Sequence, residues 1–254
     1  EGQKIMIEET LAFRDSFIHR IHPSVRIVCA VVLSFACATG GDFRVLSAYL
    51  FLSFVFTAVA NLPVVQVARR LKPLAVFLLM TWLVLPVTFD GRPVYSFLIF
   101  DITAQGLWIT SMITIKSVSI LLFFMALVAT MTVPSMGHAL EKLHVSPKLV
   151  FLILMSYRYI SVIQEEYERL YRAARIRGFR PGTNIHSYRT YAYLAGMLFV
   201  RASMRSKRVY QAMLCRGFNG TFKTVDKFRL DTVSMVFCLI VMLTAAVLVT
   251  AQCL

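Results

Sequence analysis

Long uncharged apolar runs, separated by short polar breaks, fill the first half of the chain, and the second half turns to charged segments with helical periodicity. Five runs qualify as membrane spans: residues 27–41, 45–68, 73–89, 102–140 with Lys116 inside it, and 232–254. A helix needs about 20 apolar residues to cross a bilayer. The first and third runs fall short of that, so Arg26 or Lys72 is expected to snorkel and let them reach. Gly40-Gly41-Asp42 predicts a tight turn between the first two spans.

The polar half opens with TVPSMGHALEKLHVSP, where Ser135 can cap a short helix with Met136, Leu140 and Leu143 on one face. Ser146-Pro147 then restarts the chain, a Ser cap followed by Pro at the first helical position. The next 30 residues, KLVFLILMSYRYISVIQEEYERLYRAARIR, hold no Gly or Pro and predict a helix about 45 Å long. Its first half is nearly all apolar and its second half charged, the gradient of a helix rooted under a bilayer and reaching into water. After FRPGTN a second long helix is expected from about His186 to Cys215. Near the N-terminus, TLAFRDSFIHRIH groups Leu11, Phe13, Phe17, Ile18 and Ile21 as a short amphipathic surface helix. Acids and an early Pro stand there instead of a short apolar core, so no secretory signal is expected.

The fold class that follows is an all-α integral membrane protein. About five transmembrane helices are joined by a cytoplasmic or interfacial unit of one short and two long helices. Residues 1–131 hold the interfacial helix and spans one to four, residues 132–231 the cytoplasmic unit, and residues 232–254 the fifth span. Composition agrees: 58% of the 254 residues are hydrophobic and 16% charged, against roughly 45–50% and about 25% in soluble domains. Mean hydropathy is +0.69. The few charges are biased to a formal net charge of +14. In so apolar a chain that bias reports topology, or an acidic protein partner, before it reports nucleic acid. Residues 61–73 carry Arg69, Arg70 and Lys72 and no acid, and residues 132–231 carry 17 Lys and Arg against 6 Asp and Glu. Five spans put both segments on one side, the cytoplasm, with the N-terminus inside and the C-terminus outside.

One short message occurs twice. YRAARIRGF at 171–179 and YQAMLCRGF at 210–218 align without a gap, sharing Tyr, Ala and the trio Arg177-Gly178-Phe179 against Arg216-Gly217-Phe218. Ordinary capping explains either end alone: Arg in the last turn complements the negative helix end, and Gly takes the left-handed position. The repeat asks for more, and exposed Phe179 and Phe218, each beside an Arg, are expected to act as paired docking knobs. Ala192, Ala195, Gly196 and Met197 in the second long helix suit either sliding contact or plain close packing.

Other chemistry is sparse. The five cysteines, Cys29, Cys37, Cys215, Cys238 and Cys253, form no CxxC pair and read as reduced packing residues. His19 and His22 lie three apart, but Pro23 follows and no carboxylate joins them, while His138, His144 and His186 are scattered. No catalytic, cofactor or metal site is therefore assigned in this chain. No GxxxxGK[ST] occurs, so nucleotide chemistry would belong to a partner. Lys116, about two turns from Trp108, is either a functional intramembrane charge or a lysine snorkelling to the outer interface. An alternative function is a membrane enzyme acting on phosphate-bearing lipid-linked substrates. It would draw on Glu165, Glu166 and Glu168, although flanking arginines point to ion pairing. A basic unit recruited to anionic lipids is a third reading; it explains the charge but not the repeat.

The paired Arg-Gly motifs, 39 residues apart in a basic segment after four spans, resemble the T components of energy-coupling factor (ECF) transporters. The stretch from Arg177 to Phe218 is most similar to the CbiQ family of cobalt importers, and HPSVRIV at 22–28 and TVPSMGHAL at 132–140 extend the likeness. The resemblance implies a non-catalytic subunit of an ATP-driven importer in the bacterial cell membrane. Arg177-Gly178-Phe179 and Arg216-Gly217-Phe218 would insert into two P-loop ATPase subunits (CbiO-like), each Arg meeting a carboxylate. Other implied partners are a substrate-binding membrane subunit (CbiM-like) and a small accessory one (CbiN-like). ATP and Mg would sit on the ATPases, and Co2+ or Ni2+ on the substrate-binding subunit. The chain departs from the family's Ala-Arg-Gly, with Ile176 and Cys215 before the arginines.

Overall fold

The computed structural model describes residues 18, 21–88, 93–97, 100–218 and 232–253. It holds α1 (Pro23–Thr39), α2 (Phe43–Val59), α3 (Val64–Thr88), α4 (Ala104–Leu127), α5 (Val133–Lys142), α6 (Pro147–Ile176), α7 (Ile185–Cys215) and α8 (Thr232–Cys253). Between α3 and α4 an antiparallel pair of short strands, β1 (Pro93–Phe97) and β2 (Phe100–Thr103), sets Tyr95 opposite Ile102 through Phe97 opposite Phe100, and the register shifts between Tyr95 and Pro93, which lies opposite Thr103. The protein is otherwise all-α. Its described residues divide into two compact units, one of residues up to 139 with α8, the other of residues 140–218. The expected amphipathic helix around Leu11, Phe13 and Phe17 lies outside the described residues, as does His19.

In the first unit α3, α4 and α8 are long and apolar enough to cross a membrane. α1 and α2 have 17 residues each, about 25 Å of helix against a hydrocarbon core of about 30 Å. The turn between them falls at Gly40-Gly41-Asp42, as the sequence predicts. The core lies between α1, α2, α4 and α8, where Phe56 of α2 meets Phe123 of α4 and Phe237 of α8 edge to face, each at 5.9 Å between ring centres. α3 turns Val76, Phe77, Leu79, Met80 and Leu83 outward, the surface that a membrane helix offers to lipid. Trp82 Nε1 donates to Thr114 Oγ1 at 3.0 Å and ties α3 to α4.

Two cations bond to main-chain carbonyls of a neighbouring helix. Arg26 is buried, and its guanidinium donates from Nε to the Leu127 carbonyl at 3.0 Å and from Nη2 to Thr130 Oγ1. Lys116 Nζ donates to the Ala38 carbonyl at 2.9 Å. The last carbonyls of a helix have no partner within it and carry partial negative charge. α1 and α4 therefore run antiparallel, and each supplies a cation to the other's C-terminal end. At the start of α1, His22 Nδ1 accepts from the Ser24 amide at 3.2 Å, and the His22 amide donates to Ser234 Oγ on α8 at 2.9 Å.

Three boundaries differ from expectation. Arg69, Arg70 and Lys72 lie inside α3, which begins at Val64 and runs through Pro73. The predicted fourth span stops at Leu127, and residues 128–132 break the helix before α5. Thr132, not Ser135, caps α5: Thr132 Oγ1 accepts from the Ser135 amide at 3.3 Å.

Candidate coupling site

α6 and α7 account for most of the second unit. α6 starts at Pro147 behind Ser146, whose side chain makes no capping hydrogen bond. α6 and α7 run antiparallel, joined by contacts that descend one helix as they climb the other. Nearest the connecting loop, Phe179 packs edge to face on Tyr191 at 5.5 Å and on Tyr171 at 6.4 Å. Farther along, Glu166 of α6 is ion-paired with Arg201 of α7.

Both helices end in one and the same hydrogen-bonded motif. Gly178 has φ +85° and Gly217 has φ +80°, the left-handed region that glycine enters without a Cβ penalty. At the first end the Gly178 amide donates to Arg175 O at 3.0 Å and the Phe179 amide to Ala174 O at 3.1 Å. At the second the Gly217 amide donates to Leu214 O at 2.9 Å and the Phe218 amide to Met213 O at 3.1 Å. These are two Schellman motifs, each satisfying helix carbonyls that would otherwise be unpaired. The repeated sequence is thus a repeated backbone geometry.

The motif fixes what each end presents. Arg177 and Arg216 occupy the C-cap positions, are exposed, and join no ion pair among the described residues. Phe179 corrects the expectation of an exposed knob: it is buried between Tyr171 and Tyr191. An apolar residue just past a Schellman glycine commonly packs back on its own helix, a signal that sequence reasoning had available and did not use. Phe218 is half-buried. The apolar side chain that does stand free at the first end is Ile176, 87% exposed, and sequence reasoning gave it no role. Because Phe179 holds the first end near Tyr191, and Arg216 closes α7 some 25 residues further on, the two ends stand roughly 40 Å apart.

Of the three carboxylates that an enzyme would draw on, Glu165 and Glu166 are engaged in ion pairs. Arg169 lies 3.9 Å from Glu165 and 3.7 Å from Glu166, which also holds Arg201. The hydrogen bond from Arg201, together with the charges of Arg201, Arg169 and Arg205, holds the Glu166 carboxyl below its ordinary value. A general base needs the opposite shift. Among the described residues no three His, Cys, Asp or Glu side chains gather as a metal site.

The long apolar helices define a membrane-embedded, helical protein. A family model named CbiQ, described as cobalt transport protein, matches residues 14–226, and the chain belongs to that family. It is the T component of an energy-coupling factor transporter. The relatives it resembles include energy-coupling factor transporter transmembrane proteins. That of Macrococcus caseolyticus is 24% identical over 238 residues, spanning 87% of this chain and 89% of the relative. That of Thermosediminibacter oceani is 23% identical over 220 residues, spanning 81% and 82%. An uncharacterized protein of Methanocaldococcus jannaschii is 21% identical over 244 residues, spanning 91% and 82%.

Proposed function

We propose that the two Arg-Gly ends dock one each on two P-loop ATPase subunits, and that α6 and α7 pass their closure to a substrate-binding membrane subunit. The observation that carries this reading is the repeated Schellman end with an exposed arginine at each C-cap. One asymmetric chain with two equivalent ends roughly 40 Å apart suits a partner present in two copies. A guanidinium grips a carboxylate through two parallel hydrogen bonds. Truncating one partner of such a desolvated pair costs about 2–5 kcal/mol. Gly178 and Gly217 let the backbone turn away directly behind each arginine, and Ile176 supplies the apolar contact at the first end.

The cargo we propose is a divalent metal ion, cobalt before nickel, on the strength of the family description. The ion would rest on a CbiM-like subunit, with a CbiN-like accessory, and ATP with Mg on CbiO-like ATPases. The basic bias of residues 132–231 and of the start of α3 supports a cytoplasmic position for both in a bacterial cell membrane, and an N-terminus on that side.

Purification of the full chain from its native membrane, followed by identification of what accompanies it, tests the docking. A P-loop ATPase should accompany the wild type and be lost from Arg177→Glu/Arg216→Glu. An ATPase retained at the wild-type level by that variant refutes it. Uptake of labelled cobalt and nickel by cells carrying the assembled transporter tests the cargo, cobalt being taken up in preference.

A further inference from the structure

The cleft between α6 and α7, about 220 Å³ in volume, has a lining that ATPase docking does not use. Val162 and Ile163 of α6 and Leu198 and Ala202 of α7 give it an apolar side, and Arg201, Arg205 and Arg208 give it a cationic one. Glu166 is its only acid, already ion-paired with Arg169 and Arg201. Arg205 and Arg208 join no ion pair among the described residues. The three arginines stand at i, i+4 and i+7 on one helix face, where like charges repel. Glu166 offsets one of these charges, and a second anion seated beside Arg205 and Arg208 would offset another.

The surroundings narrow the kind of anion. On the same edge of α7 as Arg201 and Arg208, Met197, Val200 and Met204 follow at i, i+3 and i+7, all exposed. On α6, Leu152, Ile160 and Ile163 are exposed as well. A free phosphate would leave that apolar rim in water. An amphiphile uses the arginines and the rim together. We propose that this cleft holds the phosphodiester headgroup of an anionic phospholipid, gripped by Arg205 and Arg208, with its acyl chains along the apolar rim. The site is independent of the docking of Arg177 and Arg216 on ATPases.

Native mass spectrometry of the full chain in detergent, titrated with phosphatidylglycerol or phosphatidylcholine, tests it. The wild type should retain one phosphatidylglycerol at least tenfold more tightly than phosphatidylcholine. Arg205→Ala/Arg208→Ala should lose at least tenfold of that affinity, while Lys207→Ala, exposed and outside the cleft, should keep it. Alanine favours helix at both positions and leaves the Glu166–Arg201 pair in place, and unchanged helicity by circular dichroism checks the fold. Equal retention by wild type and double variant overturns the proposal. So does an equal loss in Lys207→Ala, which would mean diffuse attraction to the basic surface. Displacement of the lipid by inorganic phosphate also overturns it, since the cleft would then be a free-phosphate site.

Discussion

Gly178 and Gly217 adopt φ of +85° and +80°, and a Cβ added at either would meet nothing within 4 Å. The penalty for alanine there is consequently one of backbone conformation alone, about 1 kcal/mol. Gly178→Ala should speed amide exchange of Phe179 and the last turn of α6 about fivefold, with Gly178→Asn closer to wild type, since asparagine tolerates the left-handed region. Unchanged exchange in the alanine variant would show that the motif does not depend on glycine. Phe179 makes a different contribution. Its ring is buried against Tyr171 and Tyr191, so Phe179→Ala should cost about 3 kcal/mol. Faster exchange is expected in both the end of α6 and the start of α7, and an effect confined to the loop would show that Phe179 does not brace the helices. Both glycines were legible in the sequence, because Arg-Gly after a long unbroken helical run permits little besides a C-cap. The burial of Phe179 was legible only in its own-helix half, since a residue just past such a glycine commonly packs back as Phe179 does on Tyr171, while its second partner, Tyr191, lies on another helix and leaves no local signal.

At the scale of elements, two pairings can be tested through charge. Glu166 is held below its ordinary value by Arg201 first, so its folded pKa lies under that of the unfolded chain, about 4.3. Its contribution to α6–α7 association is then fully present above the unfolded value and fades as pH falls through the folded one. Spin labels placed on the two helices should report a constant distance at neutral pH and a widening in acid. Glu166→Gln should show that widening at pH 7, and a distance indifferent to both changes would remove Glu166 from the pairing. In the membrane unit, Arg26 caps α4 through Leu127 and Thr130, and Lys116 caps α1 through Ala38. Hydrogen bonds from charged donors contribute about 1.5–3 kcal/mol each, and the two sites lie some 16 Å apart along α4. Arg26→Met and Lys116→Met should therefore each destabilise the chain, and their losses should add in the double variant. A double variant no worse than either single would mean that the two caps act as one. Neither cap was legible in the sequence, since a carbonyl acceptor on a distant helix leaves no trace in residue type. The gap at residues 128–132 was hidden for a related reason: the chain stays apolar through it, and apolarity marks burial in lipid without marking where a helix stops. The five apolar helices and the two long polar ones, by contrast, were legible because their periodicity or lack of charge extends over many turns.

For the whole molecule, the separation of the two Schellman ends is set by one element, since Arg177 sits near the start of α7 and Arg216 closes it. If each end docks on its own ATPase, the length of α7 must match the spacing of the two docking grooves. Seven helix-favouring residues inserted after Tyr210 would add nearly two full turns, about 10 Å of rise with only about 20° of rotation. The face of α7, its contacts with α6 and the second glycine motif would all persist, while Arg216 would be displaced along the helix axis. Two-point attachment makes the second contact intramolecular, and it is lost when geometry forbids both contacts at once. The insertion should thus reproduce the phenotype of Arg216→Glu, with ATPase still recovered through the first end but metal uptake at least tenfold lower. Uptake unaffected by the insertion, in a protein that Arg216→Glu inactivates, would show that the second arginine matters for a reason other than its distance from the first.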